Sequence, residues 1–199
     1  MKKSLIILLL FAVLIAKAQV EEMCKLPLTF SVFVNTTLMP PRVVESPFHP
    51  GLTAGTYLVY NDNDKNEVFQ SFHLGGFYHK YSMTALQLYT NFGYRRIFLN
   101  SFGLEASLHA GYFHSFPDIQ AFILNDQGQY EPKANKTRSQ FMTGIDLGLF
   151  YKIKKKDARS PRIFLNYQFY LEMPFVSGYV PFLPNNSLHL GTVLYFNNK

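Results

Sequence analysis

The sequence predicts an all-β protein: an eight-stranded, antiparallel, up-and-down transmembrane β-barrel after a cleaved signal peptide. Three observations carry this. At least six segments of about ten residues alternate apolar and polar side chains, so each extended segment has one face fit for lipid. The chain opens like an export signal, with Lys2 and Lys3 before the apolar run Leu5 to Ala16 and a small-residue cleavage site, Ala16-Lys17-Ala18, before Gln19. That run falls short of the about 20 residues a membrane-spanning helix needs. The aromatic content is 17%, from 13 Tyr and 20 Phe with no Trp, which suits aromatic girdles at two membrane interfaces.

Residues 1–18 are therefore assigned to the signal and 19–199 to one outer-membrane barrel domain. Cleavage removes Lys2, Lys3 and Lys17 and lowers the formal charge from +6 to about +3, too mild to predict a nucleic-acid partner. The single Cys24 excludes a disulfide within the chain. No phosphate-binding glycine loop, cysteine pair or His-x-x-x-His spacing occurs, so no cofactor and no metal site are expected.

The first strand is predicted over 28–38, with Leu28, Phe30, Val32 and Val34 on one face. Pro40-Pro41 and Ser46-Pro47 mark a loop. The second, over 51–60, alternates too weakly for its faces to be assigned. The polar turn Asn61 to Asp64 leads to a third strand over 67–81, where Val68, Phe72, Leu74 and Tyr78 oppose Ser71, His73, Gly75 and His79. The fourth, over 85–95, turns Leu86, Leu88, Phe92 and Tyr94 outward and Gln87, Tyr89, Asn91 and Arg95 inward. The fifth, over 101–114, alternates most cleanly: Phe102, Leu104, Ala106, Leu108, Ala110 and Tyr112 against Gly103, Glu105, Ser107, His109, Gly111 and Phe113.

A long connection, 115–138, carries Pro117, Asn125-Asp126, Gly128 and Pro132. The sixth strand, over 139–153, sets Phe141, Ile145, Leu147, Leu149 and Tyr151 against Gly144, Asp146, Gly148 and Lys152. A charged turn with Lys154-Lys155-Lys156 follows. The seventh, over 162–172, turns Ile163, Leu165, Tyr167, Phe169 and Leu171 outward and Asn166, Gln168, Tyr170 and Glu172 inward. A Pro-rich loop, 174–186, precedes the last strand, 187–196, with Leu188, Leu190, Leu194 and Phe196 toward lipid and His189, Gly191 and Tyr195 inward.

Topology agrees. With the first strand running outward from the periplasm, connections 61–66, 96–100 and 154–161 fall on the periplasmic side and are short. Three of the four external ones, 39–50, 82–84, 115–138 and 174–186, are long, as outer-membrane barrels require. The closing Leu194-Tyr195-Phe196 resembles the terminal signal read by the barrel-assembly machinery, here followed by Asn197-Asn198-Lys199.

Through these features the mature chain resembles the small eight-stranded outer-membrane barrels of Gram-negative bacteria. The stretches His49-Pro50-Gly51-Leu52-Thr53 and Pro181-Phe182-Leu183-Pro184-Asn185-Asn186-Ser187-Leu188-His189-Leu190-Gly191 are similar to an uncharacterised group of such barrels. The resemblance implies a bacterial outer-membrane location and brings no established activity with it.

An eight-stranded barrel has an interior that side chains fill. Its inward polar residues, His73, His79, Arg95, Glu105, His109, Asp146, Lys152, Glu172 and His189, carry both signs of charge and are expected to satisfy one another as a plug. Glu105 and His109 lie roughly 13 Å apart along one strand and cannot touch. His109 meets Asp146 only if the register of two strands permits. His114 and Ser115 are the remaining weak catalytic candidates. Lipid A deacylase barrels separate their His and Ser by one residue on one strand face, whereas adjacent residues point to opposite faces.

The leading functional expectation is a structural or surface-recognition barrel acting through loops 115–138 and 174–186. Its partners are outer-membrane lipid and the assembly machinery, and no motif specifies what the loops bind. The alternatives are a lipid-modifying outer-membrane enzyme, acyl hydrolase or transferase in type, and a soluble periplasmic barrel with an apolar ligand inside.

Overall fold

The computed structural model describes residues 26–37, 47–61, 63, 65–98, 101–118, 120–133, 137–153, 160–175 and 180–195. The signal segment 1–18, the Lys154–Lys156 run and the terminal Phe196 lie outside the described residues. The described residues form ten strands: β1 Leu28–Thr36, β2 His49–Val59, β3 Asn66–His79, β4 Met83–Phe98, β5 Phe102–Pro117, β6 Ala121–Leu124, β7 Tyr130–Lys133, β8 Arg138–Lys152, β9 Arg162–Met173 and β10 Leu183–Leu194. Eight of them close into a barrel in the order β1-β10-β9-β8-β5-β4-β3-β2. Neighbours pair antiparallel all the way round, and β1 seals the ring by pairing with both β2 and β10.

Alternation decides which way the barrel is turned. Along β4 and β5 buried and exposed residues succeed one another almost without a break. Exposed positions carry the large apolar side chains, Leu108 at 66% and Leu88 and Leu190 at 55% among them. Buried positions carry Ser71, Asn91, Arg95, Asp146, Gln168 and His189. A water-soluble barrel has the opposite polarity, so the alternative of a soluble barrel with an apolar ligand is overturned. Closure also leaves no unpaired strand edge, which the hydrocarbon interior demands. A closed barrel with an apolar outer band and polar interior positions is the outer-membrane architecture. The protein is a transmembrane β-barrel of that kind.

The structure amends the expected boundaries. β5 runs on to Pro117, so Ser115 belongs to a strand and not to a loop. The connection after it is not featureless: β6 and β7 form a separate two-stranded sheet within it. β10 begins at Leu183, which shortens the Pro-rich connection to 174–182. In β2, whose faces the sequence left unassigned, His49, Gly51, Thr53 and Tyr57 are buried while Pro50, Leu52 and Ala54 are exposed. Gly51 is needed there because the Phe33 ring lies against it; a Cβ would meet that ring at 2.3 Å.

The lumen is not polar throughout. Its outer half is filled by a cluster that includes Phe33, Phe77, Met83, Phe113, Met142 and Tyr170. Alternation already turns Tyr89, Phe113 and Tyr170 inward, but only the closed ring brings them together in one cluster. The strand ends Val59, Asn66, Phe98, Phe102, Lys152 and Arg162 lie at the opposite end, the one the sequence expects to face the periplasm.

Candidate functional site

At the periplasmic end, five strands bring charge together. Glu67 at the start of β3 accepts hydrogen bonds from Arg95 on β4 (Nη1, 3.0 Å) and from Arg162 on β9 (2.9 and 3.0 Å). Lys152 Nζ on β8 stands 3.5 Å away. Arg95 also reaches Glu105 on β5 through Nε at 2.9 Å and Nη2 at 2.8 Å, and Asn166 donates to the other Glu105 oxygen at 2.7 Å. The Arg95 guanidinium lies over Phe69 at 4.2 Å, with Phe150 and Tyr57 at 5.1 and 5.2 Å. Buried charge is tolerated only when paired in this way.

Mid-barrel, Asp146 Oδ2 accepts from Asn91 Nδ2 at 2.6 Å and from Ser107 Oγ at 3.3 Å, with His109 Nδ1 at 3.2 Å. The register that the sequence left open is therefore one that joins His109 and Asp146. Ser107, not His109, sits opposite Asp146, so the contact is diagonal. His73 bonds Ser71 at 2.9 Å and stacks on Tyr89. His189 lies between Ser31 and Ser187, at 3.2 and 3.0 Å, with its ring on Phe33. Glu172 accepts from Asn185 at 3.2 Å. His79 stands at the external end of β3, stacked on His49 at 3.5 Å and 3.3 Å from the Lys80 carbonyl.

An imidazole held by a carboxylate is a base in many enzymes, but His109 and Asp146 are 2% exposed inside a filled lumen. The cavity beside them, lined by Ser71, His73, Asn91, Asp146 and Gln168 among others, measures about 50 Å³. That is room for a few waters. It does suit solvent, since Asp146 Oδ1, Asn91 Oδ1 and His73 Nδ1 have no protein partner. Among the described residues, no three His, Cys, Asp or Glu side chains converge as metal ligands do.

The external rim differs. Ser115 turns inward, 2% exposed, and bonds Gln140 at 3.2 Å. His114 turns outward, so the two candidates are kept apart by alternation. His114 instead finds Ser139, its register partner on β8. Tyr112 Oη sits 2.8 Å from His114 Nδ1 and 2.8 Å from Ser139 Oγ. Ser139 carries no sequence signal of its own; only the β5–β8 register reveals it.

Above this rim stands the β6–β7 hairpin. Its turn is built by Asn125, whose Oδ1 accepts from the amides of Gln127 and Gln129 at 3.1 and 2.8 Å and whose Nδ2 donates to Glu131 at 2.8 Å. Gly128 supplies the left-handed residue, φ 76°. Pairing Phe122 with Pro132 and Leu124 with Tyr130 gives the hairpin one apolar face. Phe122 is 60% exposed and Tyr130 76%.

No protein-family model matches the chain, and no curated protein matches it in sequence. Solved structures do match in span. Ail, the attachment invasion locus protein of Yersinia pestis, is 14% identical, with 86% of this chain and 97% of that one covered and a TM-score of 0.47. Neisserial surface protein A is 11% identical, covering 86% and 96%, TM-score 0.47. The outer membrane enzyme PagL is 10% identical, covering 85% and 99%, TM-score 0.45. At these values none lends a residue role to this chain.

Proposed function

We propose that this barrel is a surface-recognition module. Its lumen is largely filled by side chains, and its working parts are the β6–β7 hairpin and the 174–182 connection, held outside the cell. Export through the 1–18 signal and insertion by the barrel-assembly machinery belong to the same reading. One observation carries it: a preformed hairpin holds an apolar face in the open. A lone two-stranded hairpin is marginal in water, and exposed apolar patches with a fixed shape mark contact surfaces. The Asn125-built turn removes part of the ordering cost that a floppy loop would meet on binding.

The test places a photo-crosslinking amino acid at Tyr130 in intact cells and, separately, deletes residues 120–133. The reading expects an adduct to an external macromolecule and a deletion variant that still shows the heat-dependent gel shift of a folded barrel. A deletion variant that never assembles would make the hairpin a folding element and sink the reading.

A second reading, the lipid-modifying enzyme, is favoured by one contact: Ser139 Oγ lies 3.3 Å from His114 Nδ1 at the outer rim. It predicts that Ser139→Ala changes the acylation of outer-membrane lipid. The recognition reading predicts an unchanged lipid profile.

A further inference from the structure

Polar side chains are exceptional on a face that meets hydrocarbon. The outward row of β5 runs Phe102, Leu104, Ala106, Leu108, Ala110 and Tyr112, and the facing row of β8 runs Tyr151, Leu149, Leu147, Ile145, Thr143 and Phe141. The register pairs Phe102 with Tyr151 and, ten residues up β5, Tyr112 with Phe141. A tilted strand crosses the hydrocarbon in about 9–11 residues, so these two aromatic pairs bracket the lipid band as girdles do. The next outward pair above them is His114 with Ser139. It stands at the level of headgroups and ester carbonyls.

Each of the three polar groups there is linked to the other two. Tyr112 Oη is 2.8 Å from both His114 Nδ1 and Ser139 Oγ, which are 3.3 Å from each other. The imidazole lies between the rings of Tyr112 and Phe116, at 5.8 and 4.7 Å. With hydroxyls grouped on Nδ1, the neutral tautomer that fits carries its proton on Nε2. Nε2–H is then a donor for an acceptor from outside. Directly below, the outward pair Ala110 and Thr143 is small, between the larger pairs Tyr112–Phe141 and Leu108–Ile145. Thr143 turns its hydroxyl onto the His109 carbonyl at 2.9 Å. The step in side-chain size leaves a shallow notch one pair deep, bounded above by Tyr112–Phe141 and below by Leu108–Ile145.

We propose that Tyr112, His114 and Ser139 form a headgroup site for one outer-leaflet lipid. The cluster takes the lipid's phosphate or ester oxygens, and an acyl chain lies in the notch over Ala110 and Thr143. The site binds and does not transform its lipid. It goes beyond the recognition reading and stands independently of it, because the hairpin takes no part in the contact.

The test uses purified, folded barrel in nanodiscs of phosphatidylglycerol or of lipopolysaccharide, followed by detergent extraction and native mass spectrometry. Wild type should retain one intact lipid. The double variant His114→Phe/Ser139→Ala, which loses the Nε2–H donor, should retain roughly tenfold less, the worth of about one hydrogen bond. Tyr78→Phe, an exposed aromatic on β3, should match wild type. Retention from the phosphatidylglycerol discs assigns a glycerophospholipid, and retention from the lipopolysaccharide discs a sugar phosphate; either supports the site. Equal retention by wild type and double variant overturns it, as does recovery of the lipid with an acyl chain missing, which is the enzyme reading. A measurement on the wild-type chain guards against a variant that fails to fold. Exchanging a maltoside detergent for a phosphocholine one should move the His114 imidazole nitrogen resonances, and an unmoved spectrum counts against the site.

Discussion

The two ends of the lumen are filled by opposite means. The outer end is filled largely by Phe33, Phe77, Phe113, Met142 and Tyr170, threaded by uncharged contacts such as Gln87 with Tyr170 at 3.0 Å and Tyr170 with Asn35 at 2.9 Å, with Glu172 its buried carboxyl. The periplasmic end is tied by Glu67, Arg95, Glu105, Lys152 and Arg162. Dispersion is summed over many weak contacts and tolerates exchange of one shape for a similar one. A buried ionic knot tolerates nothing of the kind, because removing one member strands its partners in a medium that cannot solvate them. The same backbone ring therefore has a forgiving end, facing outward, and an exacting end, facing the cell.

The largest effect should come from breaking the knot at its shared anion. Glu67→Ala leaves Arg95, Arg162 and Lys152 competing for Glu105, and urea unfolding should show a loss of about 3–5 kcal/mol. An undiminished midpoint would mean that the cations are solvated and the end is open. Next in size, the outer face sets the scale for charge in lipid. Leu147→Arg or Leu165→Arg should cost about 2–4 kcal/mol near the midplane, read as lost assembly in the heat-shift assay; normal assembly of both would invert the faces. A conservative exchange within the knot, Arg95→Lys, keeps the charge but loses the fork that spans Glu67 and Glu105. It should cost about 1.5–3 kcal/mol in the same unfolding experiment. The matching exchange at the other end, Met142→Leu, should cost less than about 1.5 kcal/mol. If Met142→Leu proves as damaging as Arg95→Lys, the contrast between the ends is void.

Much of this was legible before any fold was known, for a local reason. Side chains alternate along an extended chain whatever its neighbours do, so Leu147 and Leu165 could be assigned outward and Arg95, Glu105 and Asp146 inward from period alone. Period also places Phe33, Phe77, Phe113 and Met142 inward, but it does not say that they meet across the lumen as one apolar cluster. The hairpin was missed because four-residue strands such as Ala121–Leu124 are too short to show a period. His114 and Ser115 alternate to opposite faces, as neighbours on a strand do, whereas Ser139 has no local signal, since its place depends on standing across from His114.

By itself the sequence determined the class of the protein, the number of barrel strands and the face on which most side chains lie, all properties of single strands and their local alternation. Tertiary structure alone decided the pairings: Asp146 with His109, Glu67 with three cations, Ser139 with His114, and the apolar stopper across the outer lumen. Those depend on register, and register is set when the last strand meets the first. Closing the ring fixes the stagger of every strand at once, which no single stretch of chain encodes.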